Sequence, residues 1–458
     1  MSREYDVIII GAGPAGIFCA LELAAHSSLS VLMVEKGREV AKRQCVKEAS
    51  DACRQCQPCS ITSGWGGAGA FSDGKLTLTT EFGGWLEEYV GKERLAELIA
   101  YVDAIYVRHG APDRVFGEDS DYLEGLKRRA AQADLRLIPA RIRHMGTENT
   151  ERVLQGFRAA LPARVEVHHN EAVQRILVED GRAAGVLTEQ GQYRAPRVVC
   201  APGRIGAQWF VEEAGRLGLA LRSNQVDVGV RVEVPAVVLE EITDHAWEAK
   251  IVYYSRHFDD TVRTFCMNPH GEVVMENTEG LVTVNGHSWA GKRSDNTNFA
   301  LLVSQQFTEP FNQPILYGRS IACLANLLSG GVIVQRYGDL QRGRRSTRER
   351  IARGVVSPSL REAVPGDLSL VLPHRYMVDL KETIQALDRL APGIASDHTL
   401  LYGVEVKFYS ARPRLSAGLQ TEIPGLYAIG DGAGVTRGLV QASVAGVLAA
   451  RDILAEVG

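Results

Sequence analysis

The chain has almost no net charge: 51 basic residues against 55 acidic ones leave −4 over 458 residues. That provides no global field to gather nucleic acid or an anionic membrane, so any anion site must be local. Cysteine is scarce, with 8 in all, too few for a disulfide scaffold in a chain of this length. No pure apolar run is long enough to span a bilayer. The longest candidate, Val7 to Ala25, is interrupted by Gly11, Gly13, Pro14, Gly16 and Glu22 and reads as strand, turn and helix. Met1–Asp6 lacks a basic segment followed by an apolar one, so the reading is a cytoplasmic protein with no secretory signal and no membrane span. An apolar share of 45% and a charged share of 23% exclude a fibrous, coiled-coil or disordered chain.

Glycine is in surplus, 46 residues where the usual share is ~7%. Such a chain has many places where backbone turns sharply or something approaches it closely. Length alone allows two or three domains.

The first glycine group has a mechanical reading. Val7-Ile8-Ile9-Ile10 is a β-branched run suited to a buried parallel strand, and it enters Gly11-Ala12-Gly13-Pro14-Ala15-Gly16 without a spacer. Gly11 allows the tight turn, Gly13 lets backbone approach a pyrophosphate, and Gly16 lets the following helix pack closely on the sheet. Amides at that helix N-terminus then face the diphosphate. A second apolar run, Val31–Val34, ends at Glu35, 24 residues after Gly11, where an acceptor for a ribose hydroxyl belongs.

Further on, Val165–Val167, Val173–Ile176, Ala183–Val186 and Val198–Cys200 alternate with turns, and the last runs into Ala201-Pro202-Gly203. Near the end come Leu426-Tyr427-Ala428-Ile429-Gly430-Asp431-Gly432-Ala433-Gly434 and Gly438-Leu439-Val440-Gln441, which opens a helix to about Ala455. These stretches resemble the FAD-binding domain of the glutathione-reductase-like flavoproteins. Gly64–Leu76, Val284–Ser288, Gln335–Leu340 and Tyr402–Ser410 look like signatures of a group of largely uncharacterised bacterial FAD-dependent dehydrogenases, and the resemblance runs through almost the whole chain.

The resemblance implies an α/β fold: a glutathione-reductase-like FAD-binding Rossmann domain, discontinuous over 1–224 and 396–458, with an inserted α+β substrate-binding domain over 225–395. It implies FAD contacts from Gly11, Gly13, Pro14, Ala15, Gly16, Glu35, Lys36, Arg43, Gly66, Gly67, Ala68, Val173, Ala201, Gly203, Gly430, Asp431, Gly438, Leu439 and Val440. A helix N-terminus at Gly438 would stabilise negative charge on a reduced flavin. No settled substrate comes with the resemblance. No second strand-GxGxxG-helix unit follows residue 37, which argues against a dedicated NAD(P)H domain. The flavin would then be reduced by the substrate, by an electron-transfer partner, or by NAD(P)H binding transiently.

In the middle of the chain, Val226–Val234 and Thr261–Cys266 read as strands and Asn298–Phe307 as a helix, while 84–160 reads as largely helical, with Leu95, Leu98, Ile99, Val102, Ile105 and Tyr106 at helix spacing. Gly66, Gly67 and Gly69, with Trp65 and Phe71 beside them, suit a loop against the flavin ring. Lys75 is a candidate tuner of flavin potential. Glu405, Lys407 and Tyr409 alternate along a strand and share a face. Lys407, Tyr409, Arg437 and Lys75 are the candidate catalytic residues, acting by hydrogen bond or charge on a small organic, possibly acidic, substrate.

Cys45, Cys53, Cys56 and Cys59 admit three readings: packed thiols, a metal or iron–sulfur site, or thiol–disulfide exchange with the flavin. Structural thiols are the first of these, so no metal is assigned. Seven arginines crowd Arg336–Arg353. They read as a solvated surface, an anion clamp, or a tRNA contact weakened by having only Tyr337 among them. The expected activity is hydride transfer between flavin N5 and the substrate; the alternatives are a tRNA-modifying flavoprotein and a flavin monooxygenase.

Overall fold

The computed structural model describes residues 3–45, 56–72, 74–222, 224–278, 280–288, 293–306, 313–408 and 411–458, the side chains of 147, 148 and 278 aside. The chain divides into two compact units, one of residues 1–114, 143–224 and 409–458, the other of 115–142 and 225–408. Among the described residues no helix is long and apolar enough to cross a membrane.

The first unit is built on a parallel five-stranded sheet in the order Leu426–Ala428, Val198–Cys200, Val7–Ile10, Val31–Glu35, Val165–His169. Val7, Ile8, Ile9, Val31, Leu32 and Met33 are wholly buried, as parallel strands covered on both faces require. Helix Pro14–His26 lies against the C-terminal helix Leu439–Val457 at close range. A Cβ on Gly446 would fall 2.1 Å from the Ala15 carbonyl oxygen, so only glycine permits this approach. Helix Lys92–Arg108 buries Leu95, Leu98, Ile99, Val102, Ile105 and Tyr106, the stripe read from its spacing. A four-stranded sheet, Val173–Glu179, Arg182–Thr188, Gly191–Arg194 and Arg3–Glu4, completes this unit.

The second unit carries an eight-stranded sheet in the order Val364–Pro365, Ile333–Arg336, Leu400–Lys407, Val226–Pro235, Asn296–Gln305, Thr261–Asn268, Lys250–Tyr254, Arg136–Ile138. Its strand faces differ sharply. Val226, Val228, Val230, Val232 and Val234 enter an apolar core shared with Tyr376, Leu380, Ile384 and Leu387 of helix His374–Leu390. The alternate positions Asp227, Arg231 and Glu233 are polar yet wholly buried.

Three expectations are corrected here. Asn298–Phe307 was expected as a helix; instead Asn296–Gln305 is a strand paired with Val226–Pro235 and Thr261–Asn268. Residues Asn296 to Val303 are all buried, and a strand covered on both faces loses the alternation that distinguishes it from a helix. The boundary at 395/396 moves to 408/409, because Leu400–Lys407 is a central strand of the second sheet, with Asp227 opposite Lys407 and Gly229 opposite Glu405. Residues 115–142 join the second unit rather than the first: Arg136–Ile138 pairs with Lys250–Val252, and a three-residue strand leaves no periodic signature.

Candidate functional site

The loops that leave the parallel strands of the first unit lie against one another. Gly11 has φ of +95°, and a Cβ there would sit 2.3 Å from the Ala201 carbonyl oxygen; a Cβ on Gly16 would sit 2.0 Å from that of Gly11. Those two glycines are fixed by protein packing. Gly13, Gly203 and Gly438 behave differently, since a Cβ at any of them would meet no protein atom within 4 Å. The three lie in neighbouring loops. Gly432 approaches Gly203, a Cβ on Gly430 would be 3.1 Å from Ala15 Cβ, and one on Gly67 would be 3.2 Å from Gly13 Cα.

Two helices begin at this place on glycine. Gly13 and Gly438 are their N-caps; neither has a side-chain cap, and neither first turn holds an acid. The first-turn amides therefore keep their donors for an anion. Asp431 braces the second helix start: its carboxylate accepts from Thr436 Oγ1 at 2.7 Å and from the Gly438 N–H at 3.2 Å. Burial pushes its pKa up, against those hydrogen bonds and the nearby Arg204 and Arg437.

Glu35 holds backbone turns in place. Its Oε2 accepts from the Ala12 N–H at 2.8 Å, and its Oε1 accepts from Gly37 at 2.8 Å and Gly64 at 2.9 Å. One carboxylate thus ties three turns together. Arg43 likewise serves the loop rather than standing open to a ligand: Nε, Nη1 and Nη2 donate to the carbonyls of Ser60, Trp65 and Ile61 at 2.8, 2.7 and 2.7 Å. Burial pushes its pKa down to about 10, opposed by Glu35 and Cys59. Trp65 is wholly buried, with its indole N–H on the Leu154 carbonyl at 2.8 Å, so it anchors the loop from beneath. Ala68 and Lys36 are partly exposed, while Val173 lies in a strand of the four-stranded sheet and Ala201 and Val440 are buried.

Sequence reasoning missed the segment Phe82–Leu86. Gly83 and Gly84 have φ of +120° and +136°, and the backbone runs against the 435–437 loop: Arg437 N–H donates to Gly83 O at 2.6 Å and Trp85 N–H to Val435 O at 3.0 Å. Trp85 lies under two guanidinium groups, Arg437 at 4.2 Å and Arg412 at 5.1 Å from its ring centroid. The Gly-Gly-Trp run was the only available signal, and it fits no known spacing rule.

The remaining candidates scatter. Lys75 begins a short strand of the first unit and is partly buried. Lys407 belongs to the second unit and has a counter-ion, with Nζ 3.0 Å from Glu405 Oε1. Glu405 itself grips Arg231 at 2.8 and 3.0 Å, and both are wholly buried. Glu405 and Lys407 do share a strand face, as their alternation implies, and that face is not open to solvent. Arg231 also donates to Asn268 at 2.9 Å and Asn298 at 2.7 Å. Gly286 lies in strand Leu281–His287, and a Cβ there would fall 2.0 Å from Arg231 Nη1. Nearby Lys250 is buried, with Nζ 4.6 Å from the Phe265 ring centroid. Burial and then Arg263 push its pKa down to about 7, against Glu248, Asp227 and Cys266.

Tyr409 and Cys53 lie outside the described residues. Cys45, Cys56 and Cys59 are free thiols, and the described residues hold no group of three or more metal-ligating side chains. Several arginines of the 336–353 run are matched within their own unit: Arg342 meets Asp397 at 2.7 Å, Arg344 meets Asp339 at 2.8 Å, and Arg350 donates to the Arg345 carbonyl at 2.8 Å.

Comparison with known proteins places family matches on both units. Residues 5–58 match a family described as pyridine nucleotide-disulphide oxidoreductase, and residues 225–408 match one described as FAD-dependent protein, C-terminal domain-like. An uncharacterized protein of Clostridium beijerinckii is 28% identical over 470 residues, covering 98% of this chain and 80% of its own. Among solved structures, glycine oxidase from Bacillus cereus overlays with a TM-score of 0.38 at 14% identity, covering 99% of this chain and 95% of its own. L-proline dehydrogenase from P. horikoshii overlays at 0.43 and 10%, covering 100% and 95%. Likenesses that loose carry no weight of their own. The two domain matches make the chain an FAD-dependent oxidoreductase, hence an enzyme, and assign neither a substrate nor an electron donor.

Proposed function

We propose that the chain is a glutathione-reductase-like flavoprotein with one Rossmann unit, holding FAD without a covalent bond and passing a hydride between it and a small organic substrate. One observation carries this reading: three glycines with empty space where a side chain would stand, set among loops that also hold two uncapped helix N-termini. That arrangement fits a long, doubly anionic ligand, which needs backbone approach at several points and amide donors for its phosphates.

Gly11–Gly16 would receive the pyrophosphate, with Pro14 and Ala15 in the first helical turn. Gly66, Gly67 and Ala68 would close over it, Gly203 and Gly430–Asp431 would hold the ribityl chain, and Gly438–Val440 would face the ring. Bound FAD would supply hydride transfer at flavin N5. The chain's own residues orient and exclude water: Glu35 and Arg43 fix the glycine loop, and Asp431 sets the helix start at Gly438. Arg437 and Lys75 are the proposed cations on the ligand side, and NADH or NADPH is the proposed transient donor.

The test is an anaerobic titration of the purified protein with NADH and with NADPH, read in the visible spectrum. Flavin bands that bleach with one nucleotide support the reading and name the donor. A protein without flavin bands, and with none after incubation with FAD, removes it.

A further inference from the structure

Helix Pro314–Ser329 of the second unit is apolar on both sides. Its inner side buries Gly318, Ile321, Ala322 and Ala325. Its outer side leaves Leu316 57%, Leu324 39%, Leu327 80% and Leu328 48% exposed, with Ser320 and Cys323 also exposed between them. Arg319 is the one charged residue in its sixteen. Single exposed leucines need no explanation, but four on one helix face do.

The order of side chains on that face says what covers it. Leu316, Ser320, Cys323 and Leu327 are spaced four, three and four, the seam of paired helices. The seam reads the same from either end: large, small, small, large. Laid antiparallel against a second copy of itself, Leu316 meets the partner's Leu327, and Ser320 meets the partner's Cys323, so the small residues let the two helices cross closely. Ser320 Oγ already donates to the Leu316 carbonyl at 2.9 Å, so covering it strands no donor. A face that is its own complement about a two-fold axis is what an isologous dimer contact requires.

We propose that this helix is the centre of a homodimer contact, with the two copies of Pro314–Ser329 antiparallel about an axis between Ser320 and Cys323. A lipid surface fits less well, because interfacial helices carry lysine and arginine along the polar side and this one has a lone arginine. The four leucines present roughly 400 Å² of apolar surface, about half of one partner's share in a standard interface. The rim extends to Met275, 37% exposed on strand Glu272–Thr278, whose sulfur lies 3.8 Å from a Cβ placed on Gly331 just past the helix.

The experiment is sedimentation of the full-length protein over a concentration range, with circular dichroism as the check on folding. The wild type should move from monomer to dimer. Leu316→Glu alone and Leu327→Lys alone should each raise the dissociation constant about 100-fold or more, since each buries a charge against a leucine. The double variant L316E/L327K should dimerise again, because each introduced carboxylate then meets the partner's introduced ammonium. Parallel helices would set like charges together, so a double variant that stays monomeric overturns the antiparallel contact. A wild type that is monomeric throughout, including one that floats with lipid vesicles, or single variants that still dimerise, overturns the proposal entirely.

Discussion

The charge cluster in the second sheet yields a quantitative prediction. Arg231 and Glu405 are both 0% exposed, bound by two parallel hydrogen bonds, and Lys407 adds a third charge at 3.0 Å from Glu405 Oε1. Burial alone would raise the Glu405 pKa, but Arg231 and Lys407 hold it below the ordinary range. Glu405→Gln keeps the shape and removes the charge, leaving a guanidinium and an ammonium face to face with no counter-ion between them. Breaking a buried pair by removing one partner costs about 3–5 kcal/mol. Lys407→Met should cost far less, about 1 kcal/mol, because the two-pronged Arg231–Glu405 bond survives and no charge is left without a partner. Replacing the pair together, as Arg231→Met with Glu405→Leu, should recover part of the Glu405→Gln loss, since two apolar groups leave no stranded charge. Urea unfolding followed by circular dichroism measures all three. A Glu405→Gln loss below 1 kcal/mol, or a Lys407→Met loss equal to it, would refute this ordering.

Two further outcomes are expected. Arg43→Gln removes donors from the carbonyls of Ser60, Ile61 and Trp65 and should loosen the glycine loop by about 3 kcal/mol; faster hydrogen exchange at the amides of Gly64–Phe71 and weaker flavin retention are the readouts. Asp379 is wholly buried, and burial, opposed by Ser255 and reinforced by Asp260, pushes its pKa up to about 6. A folded-state value above the unfolded one means that the proton stabilises the fold at low pH and that this contribution is lost as pH rises through 6. Asp379→Asn should therefore gain up to about 3 kcal/mol over wild type at pH 8 and little at pH 4, in urea melts at each pH.

The first unit's architecture was open to sequence reading because glycine spacing, β-branched strands and the Glu35 position are enforced by local backbone geometry. The buried stripe of Lys92–Arg108 was legible for the same reason, since a helix with one wet side keeps its period. What escaped was decided by distant partners. Asn296–Gln305 looks helical because both faces are covered. Leu400–Lys407 leaves the first unit because its hydrogen bonds lie on Val226–Pro235, which sequence order does not announce. Glu35 and Arg43 have the residue types of ligand-binding groups, and only the structure shows their atoms already engaged by backbone turns.

The central claim is that the open space at Gly13 belongs to FAD. Gly13 has an ordinary extended backbone and no protein atom where a side chain would go, so Gly13→Val changes the cradle with only a small effect on the fold, about 1 kcal/mol at a helix N-cap. The decisive measurement is the flavin content of the purified wild type and of this variant, by visible absorbance after denaturation, alongside their circular dichroism. The expected result is a yellow wild type with about one FAD per chain and a colourless, folded variant that does not take up added FAD. A folded Gly13→Val protein that retains FAD as tightly as the wild type would contradict the account.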